Sequence, residues 1–202
     1  ILPQSAEELF DAGADILTGG NHTFRRREIY HMLDDCENLL RPANLPAAAQ
    51  GHGWTVYDAA GIRILVMEPL ASPFETADAI LEKCRGGYDV ALVDFHAEAT
   101  SEKLALARYL TGRVSAVWGT HTHVATADCR ILGGHTGFIT DLGMVGSADG
   151  ILGVKSEAVL HKFLVKTPVR FETEHGNEGA TGALFTVDSG SGKCISAESV
   201  SF

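Results

Sequence analysis

Three stretches of this sequence end an apolar run on histidine. Asp15-Ile-Leu-Thr18 leads into Gly19-Gly20-Asn21-His22, and Asp89-Val-Ala-Leu-Val-Asp94 leads into Phe95-His96-Ala97-Glu98. Val114-Ser-Ala-Val-Trp118 leads into Gly119-Thr120-His121-Thr122-His123. In an open α/β sheet, ligands bind outside the carboxyl ends of the strands. Parallel strands would therefore deliver Asn21, His22, His96, His121 and His123 to one rim. Alternate residues of an extended segment point the same way, which lets the imidazoles of His121 and His123 face one centre or two adjacent ones. Each piece alone is ordinary, since a histidine after a strand is commonly a hydrogen-bonded loop residue and Gly-Asn is common turn chemistry. Their coincidence at three strand ends predicts a metal site. Imidazoles with an amide oxygen, and no cysteine in reach, suit Zn, Fe, Mn, Ni or Co. Asp94 and Glu98 have two readings: a hydrogen bond to the far nitrogen of a ligating histidine, or a strand end and a helix's first turn. The remaining histidines lack partners at ligand spacing. His31 and His161 fall in helical patterns, and His52, His135 and His175 sit among glycines. Arg41, Asn44 and Asp141 read as loop and turn residues ahead of substrate contacts.

The elements that must carry these residues alternate between short apolar runs and helical spacing, the signature of an α/β protein with parallel strands. The spacing predicts strands at 15–18, 62–67, 89–94, 114–118 and 137–140, with helices at 24–33, 74–83, 98–110 and from Ser156 to about Lys166. A first helix starts at Ser5 as N-cap, with Glu8 completing a capping box, and stops at Gly13. The tail reads antiparallel, with strands at 169–172, 183–187 and 194–200 and a turn at Asp188-Ser-Gly-Ser-Gly.

The 202 residues fit one domain. Lys and Arg total 16 against 26 Asp and Glu, a formal net charge of −10, which argues against a broad nucleic-acid surface. With 45% hydrophobic and 21% charged residues, disorder is excluded, and no run approaches the roughly 18 apolar residues of a membrane span. The four cysteines, Cys36, Cys84, Cys129 and Cys194, form no CxxC motif and predict reduced thiols in a cytoplasmic protein. The chain opens on Ile1 without a signal-peptide pattern, and this abrupt start predicts an internal piece of a longer chain.

The segments GGNHTF, LLRPAN, DFHAEATSEK, GRVSAVWGTHTHVATAD, FITDLGMVG and TPVRFE follow one another as in the YmdB-like family of calcineurin-type metallophosphoesterases. The resemblance covers nearly the whole chain, and DFHAEATSEK combined with GTHTHV is highly specific. It implies a β-sandwich flanked by helices within the α/β class, and a bacterial cytoplasmic phosphodiesterase acting on cyclic nucleotides, including 2′,3′-cyclic AMP. It also implies two divalent or transition metal ions in the complete protein, with Fe or Mn favoured and Zn compatible. Carried over by motif, Asn21 resembles the amide ligand of one metal, and His96 and His121 its imidazole ligands. His123 resembles an imidazole ligand of the second metal, and His22 the proton donor to the leaving oxygen. The family's upstream Gly-Asp and Gly-Glu-Asn motifs, which supply a second-metal aspartate and a bridging glutamate, have no counterpart here. The resemblance thus implies a single metallophosphoesterase domain over 1–202 that lacks its N-terminal strands, with a weak second site and impaired activity. The stretch from Ile62 to Leu70 is also shorter than its family counterpart, which puts the local strand and rim in question.

The mechanism expected of the complete protein is in-line attack on phosphorus by a metal-bound hydroxide, with His22 protonating the departing oxygen. A small-molecule phosphodiester is the expected substrate, no membrane partner is expected, and a homo-oligomer is compatible with the sequence. One rival is an amidohydrolase-like barrel, which also uses an HxH motif but needs about 250 residues. The other is a metal-dependent, nucleotide-binding regulatory protein without turnover.

Overall fold

Short β-branched runs, separated by glycine turns and amphipathic helices, set the architecture. A computed structural model describes residues 1–69 and 72–202. In chain order the elements are α1 (Pro3–Asp11), β1 (Leu17–Thr18), two 3₁₀ turns (Thr23–Arg25 and Arg27–Ile29), α2 (Tyr30–Asp35), β2 (Leu39–Leu40), β3 (Trp54–Ala59) and β4 (Ile62–Met67). Then come α3 (Pro73–Lys83), β5 (Val90–His96), α4 (Thr100–Leu110), β6 (Ala116–Thr120), β7 (Arg130–Leu132), β8 (Thr136–Ile139) and β9 (Val145–Ser147). The chain closes with α5 (Ser156–Val165), β10 (Glu178–Asp188) and β11 (Lys193–Ser201).

The main sheet has six strands in the order β3-β4-β5-β6-β8-β7. Strands β4, β5, β6 and β8 run parallel, and β3 and β7 are antiparallel edges. On one face Ala77, Ile80 and Leu81 of α3 and Leu106, Ala107 and Leu110 of α4 share a buried cluster with Val93, Phe95 and Phe138. The side chain of Asp94, between Val93 and Phe95, must leave on the opposite face. That face carries a second layer, the antiparallel sheet β11-β10-β9 and the parallel pair β1-β2. Trp118 of β6 stacks on Phe185 of β10 with ring centroids 6.4 Å apart. Gly137 of β8 permits this approach, since a Cβ there would lie 2.5 Å from the Phe185 ring and 2.8 Å from Cys194 Sγ. Thr18 of β1 meets β5, its hydroxyl donating to Asp94 Oδ2 at 2.6 Å. A smaller core of Ala6, Ile29, Leu33 and Leu39 joins α1 and α2 to this pair. The expected α/β sandwich flanked by helices is what forms.

Several local expectations are corrected. Ser5 lies inside α1, whose N-cap is Leu2 with Pro3 in the first turn and no side-chain cap; proline has the helical φ already set and lacks the N–H that a cap would satisfy. The helix expected at 24–33 is interrupted because Arg26 is extended (φ −120°, ψ 123°), so only Tyr30–Asp35 is α-helical. The segment 169–172 forms no strand; Val154 bridges Thr173 alone. Strand β3, missed in the sequence, turns into β4 through Ala60 and Gly61 at φ +54° and +89°, a two-residue hairpin turn with both central φ positive. Strand β7 turns into β8 through the three residues Gly133, Gly134 and His135, with the two glycines at φ +57° and +66°. In the stretch suspected of shortening, β4 forms over Ile62–Met67, while Leu70 lies outside the described residues. Among the described residues no helix is long and apolar enough to cross a membrane.

Candidate metal centre

Parallel register brings three strand ends together. His96 is the last residue of β5 and pairs with Thr120, the last of β6. Thr120 Oγ1 donates to Asp94 Oδ1 at 2.9 Å and lies 3.0 Å from His96 Nδ1. A hydroxyl has one proton to give, so with that proton on Asp94 it accepts the Nδ1–H of His96. The Nε2 of His96 is thereby left with a bare lone pair. Asp94 takes its second hydrogen bond from Thr18, so this one carboxylate ties together the strands leading to Asn21, His96 and His121. Burial raises the Asp94 carboxyl to about 6, against the pull of its Thr18, Thr120 and Trp118 donors. Burial, and next the neighbouring His121, push His96 down to about 4, which keeps its ring neutral.

His96 Nε2 lies 3.2 Å from Asn21 Oδ1 and 3.2 Å from His121 Nδ1. The two imidazoles meet edge to face, with centroids 4.9 Å apart and planes at 89°. Gly20 lets the Asn21 turn come this close, because a Cβ on it would lie 2.8 Å from His96 Nε2. An amide oxygen only accepts, so two lone pairs face each other here, an arrangement that a cation relieves. Donors bound to one ion at about 2.1 Å stand about 3.0–3.4 Å apart, and the observed separations match. The donor set therefore fits a borderline-soft or transition metal ion.

His22 precedes the first 3₁₀ turn as its N-cap and is exposed. It lines a cavity of about 250 Å³ together with Asn21 and His96. His123 is not drawn into the same group. It lines a separate cavity of about 220 Å³ with Met144, Ala180 and Phe202. The expectation that His121 and His123 point alike assumed an extended segment, but β6 ends at Thr120 and the two histidines take left-handed φ of +104° and +65°. Among the described residues no three His, Cys, Asp or Glu side chains are grouped to hold an ion; the cluster has two imidazoles and one amide. A larger groove of about 800 Å³, beside Arg41, Trp54 and Lys83, contains none of the expected site residues.

Of the two readings of Asp94 and Glu98, Asp94 does reach a histidine, though through Thr120. Glu98 is exposed ahead of α4. Asp141, expected as a turn residue, is fully buried against Lys103 of α4 at 2.8 Å. Lys103 carried no sequence signal, since a lysine at helical spacing reads as solvated. Glu68, at the end of β4, is also fully buried, and neither carboxylate oxygen has a hydrogen-bond partner. Burial first, and the charge of Asp94 second, lift it to about 9; the Gly19 amide offsets this only in part, being committed to Leu40 O at 2.9 Å.

The helix-flanked sandwich thus brings two imidazoles and an amide oxygen together on one rim. A family model described as YmdB-like protein matches residues 1–200, and the chain belongs to the YmdB-like family. It is 43% identical over 200 residues to a 2′,3′-cyclic-nucleotide 2′-phosphodiesterase of Bacillus subtilis (strain 168), covering 95% of this chain and 76% of that protein. Among solved structures, a hypothetical protein from Thermus thermophilus superposes with a TM-score of 0.93 at 34% identity, covering 100% of this chain and 81% of that one. A novel phosphatase of Mycoplasma pneumoniae superposes at 0.92 with 30% identity, covering 100% of this chain and 76% of the other.

Proposed function

We propose that residues 1–202 act as one metallophosphoesterase domain that hydrolyses 2′,3′-cyclic nucleotides. The observation that carries this reading is the pair of contacts from His96 Nε2 to Asn21 Oδ1 and His121 Nδ1, 3.2 Å each, in a chain similar to a cyclic-nucleotide phosphodiesterase. Asn21, His96 and His121 would hold one ion, and the family resemblance gives His123 to a second. Bound ions supply an acidified water and neutralise phosphate charge.

The chain's own residues do the rest. Thr120 and Asp94 keep the Nδ1 proton of His96 away from the ligand side. The water oxygen bonds to phosphorus, losing one proton to solvent, as the bond to one ribose oxygen of the ring breaks. His22, facing the cavity, gives that departing oxygen its proton and is later reprotonated from solvent. Help of this kind is worth about 10²–10⁴ in rate.

Turnover of 2′,3′-cyclic AMP, with Mn²⁺, Fe²⁺ or Zn²⁺ added back to metal-stripped protein, tests the reading. Metal-dependent product supports it, and His22→Ala is expected to cut kcat by about 10²–10⁴ at unchanged metal content. Tight nucleotide binding without product would replace it with the regulatory reading.

A further inference from the structure

Lys103 and Asp141 form an ion pair of 2.8 Å in which both side chains are only 1% exposed; the other ion pairs among the described residues are each at least 30% exposed. A buried pair of this kind is weak support for stability, because apolar replacements of both partners are often neutral or better. Its surroundings suggest another use. Asp141 Oδ2 accepts from the Thr122 amide at 3.0 Å as well as from Lys103, while Oδ1 accepts from the Gly143 amide at 2.9 Å. Thr122 lies between His121 and His123, whose φ values of +104° and +65° are ones that L side chains rarely adopt. Such a conformation persists only when its surroundings over-determine it. The lysine reaches this spot beneath Gly119, where a Cβ would meet Lys103 Cδ at 2.6 Å and Thr140 O at 1.9 Å.

We infer that Asp141, neutralised by Lys103, is a positioning residue that anchors the Thr122 amide and thereby aims His121 Nδ1 at His96 Nε2. This rests on the metal-site reading above. The carboxylate supplies the acceptors that the turn needs, and the lysine offsets the charge that burial would otherwise penalise. Neither residue lines the cavity shared by Asn21, His22 and His96.

Co²⁺ is the probe, read by titration calorimetry and by its visible ligand-field absorption. The Lys103→Met/Asp141→Leu double variant removes both charges together but leaves the Thr122 and Gly143 amides without their acceptor, so it is expected to stay folded with a somewhat lowered unfolding temperature. Its Co²⁺ affinity should fall about 10- to 100-fold, the usual effect of losing an outer-shell partner, with an altered absorption envelope. His121→Ala should then cost less in the double variant than in the wild type, because the two changes share one path. A folded double variant with wild-type affinity and spectrum would overturn the positioning role. Amide hydrogen exchange on the unmodified, metal-free chain provides an independent test: Thr122 should be protected, and exchange at the rate of an unstructured amide would overturn the anchor. Failure of the wild type to bind Co²⁺, or indifference of its binding to His96→Ala and His121→Ala, would instead overturn the metal site itself.

Discussion

Glu68 gives the sharpest handle on the energetics beside the site. Its carboxyl is fully buried with both oxygens unpartnered, and its folded-state pKa is raised from 4.5 to about 9. An acid with a raised folded-state pKa keeps its proton in the native chain and releases it on unfolding. Its contribution to stability is intact below pH 4.5 and is lost progressively as pH rises toward 9. One unit is about 1.36 kcal/mol, so by pH 7 the lost stability is about 2.5 units, or about 3 kcal/mol. Glu68→Gln keeps the shape and cannot ionise in either state. It should therefore match the wild type at pH 4.5 and gain up to about 3 kcal/mol at pH 7, equivalent to roughly 6–12 °C in Tm for a chain of this size. Urea unfolding of both proteins at half-unit steps from pH 4.5 to 8 measures the difference directly. A stability difference that stays flat over this range would refute the argument, since it would mean that Glu68 ionises as readily folded as unfolded. Glu68→Met adds a second contrast: it also removes two unpaired buried oxygens, worth about 1–3 kcal/mol, and that part of its gain should not vary with pH.

Thr120→Val preserves the branched shape of β6 but breaks the link between Asp94 and His96 Nδ1. It should weaken Mn²⁺ or Co²⁺ binding about 10- to 100-fold while leaving the far-UV circular dichroism unchanged, and calorimetric titration checks this. Gly137→Ala puts a Cβ 2.5 Å from the Phe185 ring and should destabilise the sandwich by about 1–3 kcal/mol, read from the urea midpoint, with metal affinity retained in the folded fraction.

The parts of this molecule that the sequence disclosed are those in which apolar burial has a period. Strand β4 lies at Ile62–Met67 as expected, because an apolar run broken only by Arg63 has few alternatives, and the run Asp89–Asp94, read as buried on both faces, lies largely within β5. Asn21, His96 and His121 converge because parallel strands end together. Strand β3 escaped because its pattern is half exposed, so its evidence lies in the positive-φ turn that follows it. The side chains of His121 and His123 were misdirected because a two-residue alternation holds only while the backbone stays extended. The pairings of Thr18, Thr120, Lys103 and Asp141 left no trace for a different reason: hydroxyls and paired charges are buried for their partners, and partners distant in sequence leave no periodicity. Those residues nonetheless decide the electrostatics of the rim. The charge of Asp94 is met by two threonine hydroxyls, and that of Asp141 by Lys103 and two amides. The atoms that face one another at the rim, Asn21 Oδ1, His96 Nε2 and His121 Nδ1, are then neutral donors. A divalent ion held by neutral donors keeps its full charge. In a chain of net charge −10, an ion held there as proposed above would turn the local rim toward an anionic phosphodiester.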